Sequence, residues 1–315
     1  MTANDRTPRP PMSFVDNTID RQSTKRTDAA WIESRLQAPD AGIVLSTATQ
    51  LILDTSGPAN MRHNLEKALE LGALREEMVF LGQKPDGSDP LFATCIEKSD
   101  EEIEALDDLT LIDLRTLAIQ GDLSAEDTSV LAQARAMIHW HRTHKFCSRC
   151  GHPSNLADAG YRRECPSCGG QHFPRTDACV IMLIIDENDR ALLGRPPRLP
   201  EGIFTTLAGF MEPGETVEQA VRRETMEESG ISVGDVWIRS NQPWPFPSNL
   251  MLGCYGKATS SEIYLEDDEL EACRWCDRAE VQQMIDGTHP NGDKIPPSIS
   301  IAYQLITDWM DGRIS

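Results

Sequence analysis

Four cysteines constrain this chain more than any other feature. Cys147-Ser148-Arg149-Cys150-Gly151 and Cys165-Pro166-Ser167-Cys168-Gly169 form two Cys-x-x-Cys pairs separated by fourteen residues. A thiolate pair at that spacing can grip one metal ion from a tight turn. The glycine after the second cysteine relieves the strain of the turn, and two such knuckles complete a tetrahedral shell. Zinc is the expected ion, held by Cys147, Cys150, Cys165 and Cys168. Four protein ligands leave no open position, so the ion should hold the fold and perform no chemistry. Cys273-Arg274-Trp275-Cys276 repeats the spacing but has no following glycine and no partner pair, and reads as two packed thiols. On a helix His139 and His141 point apart, so with His144 they should cap or pack rather than share a metal.

At 315 residues the chain is too long for one ordinary core, and two domains with a small insert are expected. Its 39% hydrophobic, 25% charged and 6% aromatic content belongs to a globular chain and excludes collagenous or wholly disordered classes. The longest apolar run, residues 178–185, is far below the roughly 20 residues that span a bilayer, and reads as a buried strand. The first thirty residues are polar and proline-bearing, with no apolar segment of secretory type. Together with nine cysteines, four of them paired for metal, this points to a reducing, cytoplasmic compartment and no membrane partner. Thirty Lys and Arg against fifty Asp and Glu give a net charge of −20, which disfavours an extended nucleic-acid groove.

Residues 1–30 read as a flexible, solvated tail. Residues 42–53, GIVLSTATQLIL, look like strands, and residues 78–81 like a strand that leaves into the turn 84–88. Residues 107–120 are expected to be helical. A clearer helix follows Ser124, an N-cap with Asp127 three residues on, and carries Val130, Leu131, Ala134, Met137, Ile138 and His141 at helical spacing. Residues 178–185 and 191–193, joined by a turn at 186–189, form a β-hairpin. A short extended stretch over 202–207 ends at Ala208-Gly209-Phe210.

The segment GFMEPGETVEQAVRRETMEESGI, residues 209–231, carries the chemistry. Pro213-Gly214 makes a turn, and Val217, Ala220, Val221 and Glu224 mark a helix that Gly230 ends. Glu224 stands three residues from Glu227 and four from Glu228, which puts three carboxylates on one surface at a cost to helix stability. They lie late in the helix, where the macrodipole disfavours anions, so something cationic must compensate. Hard oxygen ligands so arranged suit magnesium or manganese, ions that complete their shells with water and substrate phosphate. A solvated acidic face is the alternative. Arg223 can pair with Glu215 and fix the loop against the helix.

Gly209, Glu215, Arg223-Glu224, Glu227-Glu228 and Gly230-Ile231 match the Nudix box, Gly-x5-Glu-x7-Arg-Glu-U-x-Glu-Glu-x-Gly-U with U apolar; Thr225 departs from it at one U position. The four-cysteine ribbon narrows the resemblance to the NADH pyrophosphatase branch. So does NQPWPFPSN, residues 241–249, which is similar to the signature SQPWPFPxS with Asn241 and Asn249 in place of two serines. DLRTLA, residues 113–118, is similar to that branch's N-terminal domain. The resemblance implies an α+β protein: an N-terminal mixed α/β domain over 31–143, the zinc ribbon over 144–174 and a Nudix α/β/α sandwich over 175–315.

It also implies metal-dependent hydrolysis of the pyrophosphate of NADH or NAD+ to nicotinamide mononucleotide and AMP, with NAD-capped RNA 5′ ends as a further substrate and a homodimer as the assembly. Catalysis would fall to Arg223, Glu224, Glu227 and Glu228. The magnesium or manganese would be held by Ala208, Glu224, Glu227, Glu228 and the distal Glu269. Phe173, Phe210, Gln242, Trp244, Phe246, Asn249 and Ala302 would bind the dinucleotide. Physics gives the loop its own meaning as well: three prolines present Trp244 and Phe246 at little ordering entropy, either to a ligand or to the protein's own core. Another nucleoside diphosphate derivative such as ADP-ribose or FAD, or a non-enzymatic zinc-ribbon interaction module, remain the rival readings.

Overall fold

The computed structural model describes residues 12–265 and 269–314. The chain forms two compact units, one of Ser13–Thr176 with Trp244–Ser248, the other chiefly of Asp177–Pro243 and Asn249–Ser315. The first contains α1 (Ala29–Leu36), β1 (Gly42–Ser46), β2 (Leu51–Asp54), α2 (Leu65–Glu70), β3 (Val79–Gly82), β4 (Leu91–Cys95), α3 (Asp100–Glu104), β5 (Leu109–Ile112), α4 (Leu114–Gln120) and α5 (Ala125–Thr143). The strands lie in the order β3-β4-β1-β2-β5. β1 runs parallel to β4, and the other neighbours are antiparallel. Alternate residues of a strand face opposite ways, and here both faces are covered. Val44, Leu53 and Leu81 pack with Leu131, Ala134 and Ile138 of α5, while Ile43, Leu45 and Phe80 pack with Leu36, Ala68 and Ile103 of α1 to α3. Double burial is why residues 42–53 read as nearly continuous apolar runs.

Two expectations for this unit are corrected. Residues 107–120 are not one helix: β5 pairs with β2, and Asp113 then caps α4 by accepting from the amides of Arg115 and Thr116. Edge pairing with an existing sheet overrides the moderate helical propensity of Leu109 to Ile112. Residues 13–28 are not a solvated tail. Phe14 is 2% exposed, the Asp16 amide donates to Ser129 Oγ, the Asn17 side-chain amide donates to Gln133 Oε1, and Asp20 bridges to Gln83. The rest of that expected tail, residues 1–11, lies outside the described residues.

The same unit ends in a three-stranded sheet of β6 (Asn155–Ala157), β7 (Arg162–Glu164) and β8 (Gln171–His172).

The second unit contains β9 (Asp177–Ile185), β10 (Ala191–Arg195), β11 (Leu207–Phe210), α6 (Val217–Ser229), β12 (Val233–Trp244), β13 (Asn249–Ala258), β14 (Ala272–Cys276), α7 (Arg278–Asp286) and α8 (Ile301–Met310). Its sheet runs β12-β13-β9-β10-β14, with β11 paired to β9. The expected hairpin is present, Ala191 opposite Ile185. Val180, Met182 and Ile184 of β9 pack with Ala220 and Val221 of α6. The other face of the sheet meets α8, where Tyr255 donates its hydroxyl to the Leu305 carbonyl and Gly253 lies against Ile301. A sheet between two helices explains the unbroken apolar run of β9. The expected strand over 202–207 instead begins where that stretch ends: Ile203 and Thr205 make single bridges, and the ladder to β9 starts at Leu207. Among the described residues no helix is long and apolar enough to cross a membrane.

Candidate active site and metal centre

In the ribbon both knuckles fold alike. The Gly151 amide donates to the Cys147 carbonyl and the Gly169 amide to the Cys165 carbonyl, each at 2.9 Å. Gly151 and Gly169 turn there with φ of 75° and 68°, a conformation that costs a side-chain-bearing residue. The four sulfurs lie within 4.8 Å of one another, with Cys147 Sγ 3.6 Å from Cys168 Sγ and Cys150 Sγ 3.5 Å from Cys165 Sγ. Tetrahedral zinc with Zn–S of about 2.3 Å needs sulfurs about 3.8 Å apart, so the cage fits the ion. These separations are far too long for disulfides. The Arg149 amide donates to Cys147 Sγ, and His172 Nε2 lies 3.3 Å from the same sulfur, contacts that stabilise a thiolate.

The rival ligands separate as expected. Cys273 and Cys276 sit three apart on β14, opposite Gly194 and Ala191, and so point to opposite faces of the sheet. His141 Nε2 donates to the Gly160 carbonyl at 2.7 Å while Nδ1 faces Arg163 Nη1 at 3.0 Å. Burial, opposed in part by that carbonyl, lowers its pKa to about 4. His144 stacks on Trp140 at 5.9 Å.

In the second unit β11 and α6 carry the acidic site. Thr216 caps α6 reciprocally with Gln219, and Gly230 closes it in the left-handed conformation. Gly209 on β11 is dictated by space: a Cβ there would lie 1.9 Å from Glu224 Cδ. The glycine is what lets the Glu224 carboxylate lie flat on the strand.

Arg223 is the hub. Its Nε and Nη2 grip both oxygens of Glu215 at 2.7 and 2.9 Å, Nη2 also donates to the Phe210 carbonyl, and Nη1 donates to Glu224 Oε1 and Glu227 Oε2 at 2.8 Å each. The expected Arg223–Glu215 pair is therefore present and bidentate, and it holds Glu215 near pKa 2. The same guanidinium supplies much of the compensation that the clustered glutamates require, a role that the sequence had assigned to a metal alone.

Glu228 is different. It is 7% exposed, its Oε2 has no hydrogen-bond partner among the described residues, and its pKa rises to about 8. Burial is the main cause, followed by the charges of Glu224 and Glu269; Arg198 and the Ala208 backbone oppose it. Burial also raises Glu224, against the pull of Arg223.

An orphaned buried carboxylate oxygen amid other hard oxygen donors suits a divalent cation. Without an ion the carboxylates do not converge as tightly as the cysteines do: among the described residues only the cysteine cluster has its ligand atoms within 4.8 Å. Glu227 leans out to Arg223 with its side chain 55% exposed. Glu269, itself exposed, is near enough for its charge to act on Glu224 and Glu228, and residues 266–268 before it lie outside the described residues. Arg198, in the segment after β10, was missed from sequence, since a lone arginine outside the box carries no spacing signal.

Three family models match the chain: the NUDIX domain over residues 175–297, the NADH pyrophosphatase zinc ribbon domain over 142–173, and the NADH pyrophosphatase-like rudimentary NUDIX domain over 40–140. The NAD-capped RNA hydrolase NUDT12 of Macaca fascicularis is 34% identical across 94% of this chain and 73% of its own length. The chain belongs to the Nudix hydrolase family. Another relative is the NAD-capped RNA hydrolase NudC of Mycobacterium bovis, 37% identical across 80% of this chain and 81% of that protein. Human NAD(P)H pyrophosphatase NUDT13, mitochondrial, is 35% identical across 71% of this chain and 66% of its own.

The residues expected around a dinucleotide belong to both units. Phe210, at the end of β11, is 56% exposed and free to stack. Gln242 is fully buried, its amide nitrogen donating to the Ile299 carbonyl and its oxygen accepting from the Ile301 amide. It thereby pins the start of α8, where Ala302 is 4% exposed. Asn249 buries its side-chain oxygen without a partner among the described residues. Phe173, 60% exposed, belongs to the first unit of this Nudix protein, as do Trp244 and Phe246, which pack partly buried on its core.

Proposed function

We propose that this Nudix hydrolase splits the diphosphate linkage of NADH and NAD+, with water as nucleophile, giving the nicotinamide mononucleotide and AMP. The same linkage at the 5′ end of NAD-capped RNA is a second substrate. The observation that carries this is the pairing of an Arg223-braced glutamate cluster with the buried, unpartnered oxygen of Glu228. The three matched domains and the printed activities of the relatives support the choice of substrate.

A divalent ion, when bound, neutralises the diphosphate and acidifies a water molecule. Glu224, Glu227, Glu228 and Glu269, with Ala208 beside them, are the groups that would hold it, and magnesium or manganese fits their oxygen chemistry. Gly209 keeps the Glu224 carboxylate in place against β11. Arg223 locks the loop to α6 through Glu215 and Phe210, which keeps the glutamates from splaying apart. Glu228, buried beside Glu224 with Oε2 free of protein partners among the described residues, would either hold the ion through that oxygen or, left uncoordinated, serve as the general base. Phe210 offers an exposed ring for a base. Zinc in the ribbon has a structural part only. A homodimer in the cytoplasm completes the reading.

Purified protein incubated with NADH, ADP-ribose, FAD and NAD-capped RNA, with and without magnesium or manganese, should release the nicotinamide mononucleotide from NADH (leaving AMP) and from capped RNA (leaving a 5′-monophosphate end) faster than it splits ADP-ribose or FAD, and only with metal. Failure to hydrolyse any diphosphate would overturn the assignment, and preference for ADP-ribose or FAD would move it within the family.

A further inference from the structure

The first compact unit holds a cavity of its own, about 360 Å3 in volume, within the range of roughly 300–1,000 Å3 usual for small-molecule sites. Val79 of β3 and Ile138 of α5, both buried, and the half-buried Leu156 of β6 give it an apolar floor. Charged groups of both signs stand around that floor. Glu76 and Glu77 precede β3 and Glu97 follows β4, while Arg142 and Lys145 lie at and just beyond the end of α5 and Arg163 on β7.

Arg163 is the group that calls for a ligand. Half-buried, it donates to Ser154 Oγ at 2.9 Å, to the Ser154 carbonyl, and to His141 Nδ1 at 3.0 Å. All three acceptors are neutral at neutral pH. The guanidinium makes no ion pair among the described residues, so a charge taken partly out of water has no counter-ion in contact with it. Glu77 acts on it only from farther away. An anionic group in the cavity would meet Arg163 together with Arg142, one of whose nitrogens already bonds the Ala48 carbonyl, and Lys145, whose ammonium has no partner among the described residues. Glu76, Glu77 and Glu97 likewise make no side-chain hydrogen bond or ion pair among the described residues, so the same cavity offers negative charge to a cation.

We propose that this cavity is a second nucleotide site, sharing no residue with the acidic cluster, for a mononucleotide with a cationic ring. Arg163, Arg142 and Lys145 take its phosphate, and its ring lies on the apolar floor with Glu76, Glu77 and Glu97 around the positive charge. The choice of ligand rests on the function proposed above. Among the products of that reaction, oxidised nicotinamide mononucleotide alone joins a pyridinium cation to a phosphate; the reduced mononucleotide and AMP carry the phosphate without the ring cation. The N-terminal domain thereby distinguishes the product of NAD+ from that of NADH.

Equilibrium dialysis of full-length, zinc-loaded protein in buffer without magnesium or manganese measures the three mononucleotides directly. Oxidised nicotinamide mononucleotide should bind about tenfold more tightly than its reduced form or AMP, the scale of one charged contact. Glu77→Gln combined with Glu97→Gln, both at exposed positions, should erase that preference. Lys145→Met, also exposed, should weaken all three about tenfold while NADH hydrolysis stays at the wild-type rate. Hydrogen exchange of the wild type should show the oxidised mononucleotide protecting residues 94–97 and 154–157. No binding, equal affinity for the three, a preference that survives the loss of both glutamates, or protection confined to residues 207–230 would each overturn the site. If the wild type hydrolyses neither NAD+ nor NADH, the functional reading fails instead; the dialysis, to which the mononucleotides are added as such, then still decides whether the cavity binds them.

Discussion

Thr225 stands at an apolar position of the Nudix box, fully buried, with no hydrogen-bond partner for Oγ1 among the described residues. A buried hydroxyl without a partner costs on the order of 1 kcal/mol or more. Thr225→Val keeps the shape and removes that cost, so it should raise stability by about 1 kcal/mol in urea unfolding with activity unchanged; a destabilised variant would mean that Oγ1 has a partner. Glu228 and Glu227 lead to a different expectation. Without a cation Glu228 carries its proton at neutral pH, so Glu228→Gln exchanges one neutral group for another and should not destabilise the metal-free protein. Glu227→Gln removes one of several partners of Arg223 and should cost little. Activity should nonetheless fall by about 10²–10⁴-fold in each, with added metal partly rescuing a lost ligand but not a lost base. NADH hydrolysis at the wild-type rate by both variants at every metal concentration would leave these glutamates as a solvated face. At this scale the sequence was legible where spacing encodes geometry, as for Arg223 and Glu215. It was silent where a side chain arrives through a loop, as with Arg198, and it did not show that Gln242 is buried against the start of α8.

Among the elements, the zinc knuckles were the most legible, because thiolate spacing, turn and glycine are all local. Cys147→Ser or Cys168→Ser should abolish bound zinc, measured by elemental analysis, and destabilise the fold; zinc-free wild-type protein would refute the site. Strand β5 was misread as helix because its identity comes from pairing with β2, which no local window contains. Likewise the packing of residues 13–28 depends on Ser129 and Gln133, more than a hundred residues away. His141 ties helix α5 to the turn before β7 and gives that junction a pH dependence. With a folded pKa of about 4 against the usual 6.5, the unfolded chain takes up the proton first as pH falls. The neutral histidine thus contributes fully above 6.5, and its contribution, about 3 kcal/mol at most, is lost as pH falls through 4. His141→Gln can keep a donor for Gly160 and an acceptor for Arg163 without titrating. The pH profile of its unfolding midpoint should be flatter than that of wild type between 6.5 and 4, and an identical slope would remove His141 as the cause.

For the whole molecule, both α/β sandwiches were foreshadowed by apolar runs that only a doubly covered sheet can bury. The grouping of Trp244–Ser248 with the first unit was not, since prolines and aromatics stiffen a loop without saying what it packs against. Net charge is a property of the same scale, and it bears on the proposed RNA substrate. Fifty acids against thirty bases leave the protein at −20, so the body of a capped RNA is repelled at long range while its nicotinamide end is recognised. Ordinary nucleic-acid binders behave in the opposite way, since one that neutralises 6–10 phosphates loses about 10³–10⁵ in affinity between 50 and 200 mM salt. Here screening weakens a repulsion instead of an attraction. Over that salt range kcat/KM for NAD-capped RNA should therefore hold steady or rise. The small dinucleotide, with few charges of its own, should change less than the RNA does. A steep fall for the capped RNA, with NADH unaffected, would show that a local basic track binds the RNA body and that the overall charge does not govern its approach.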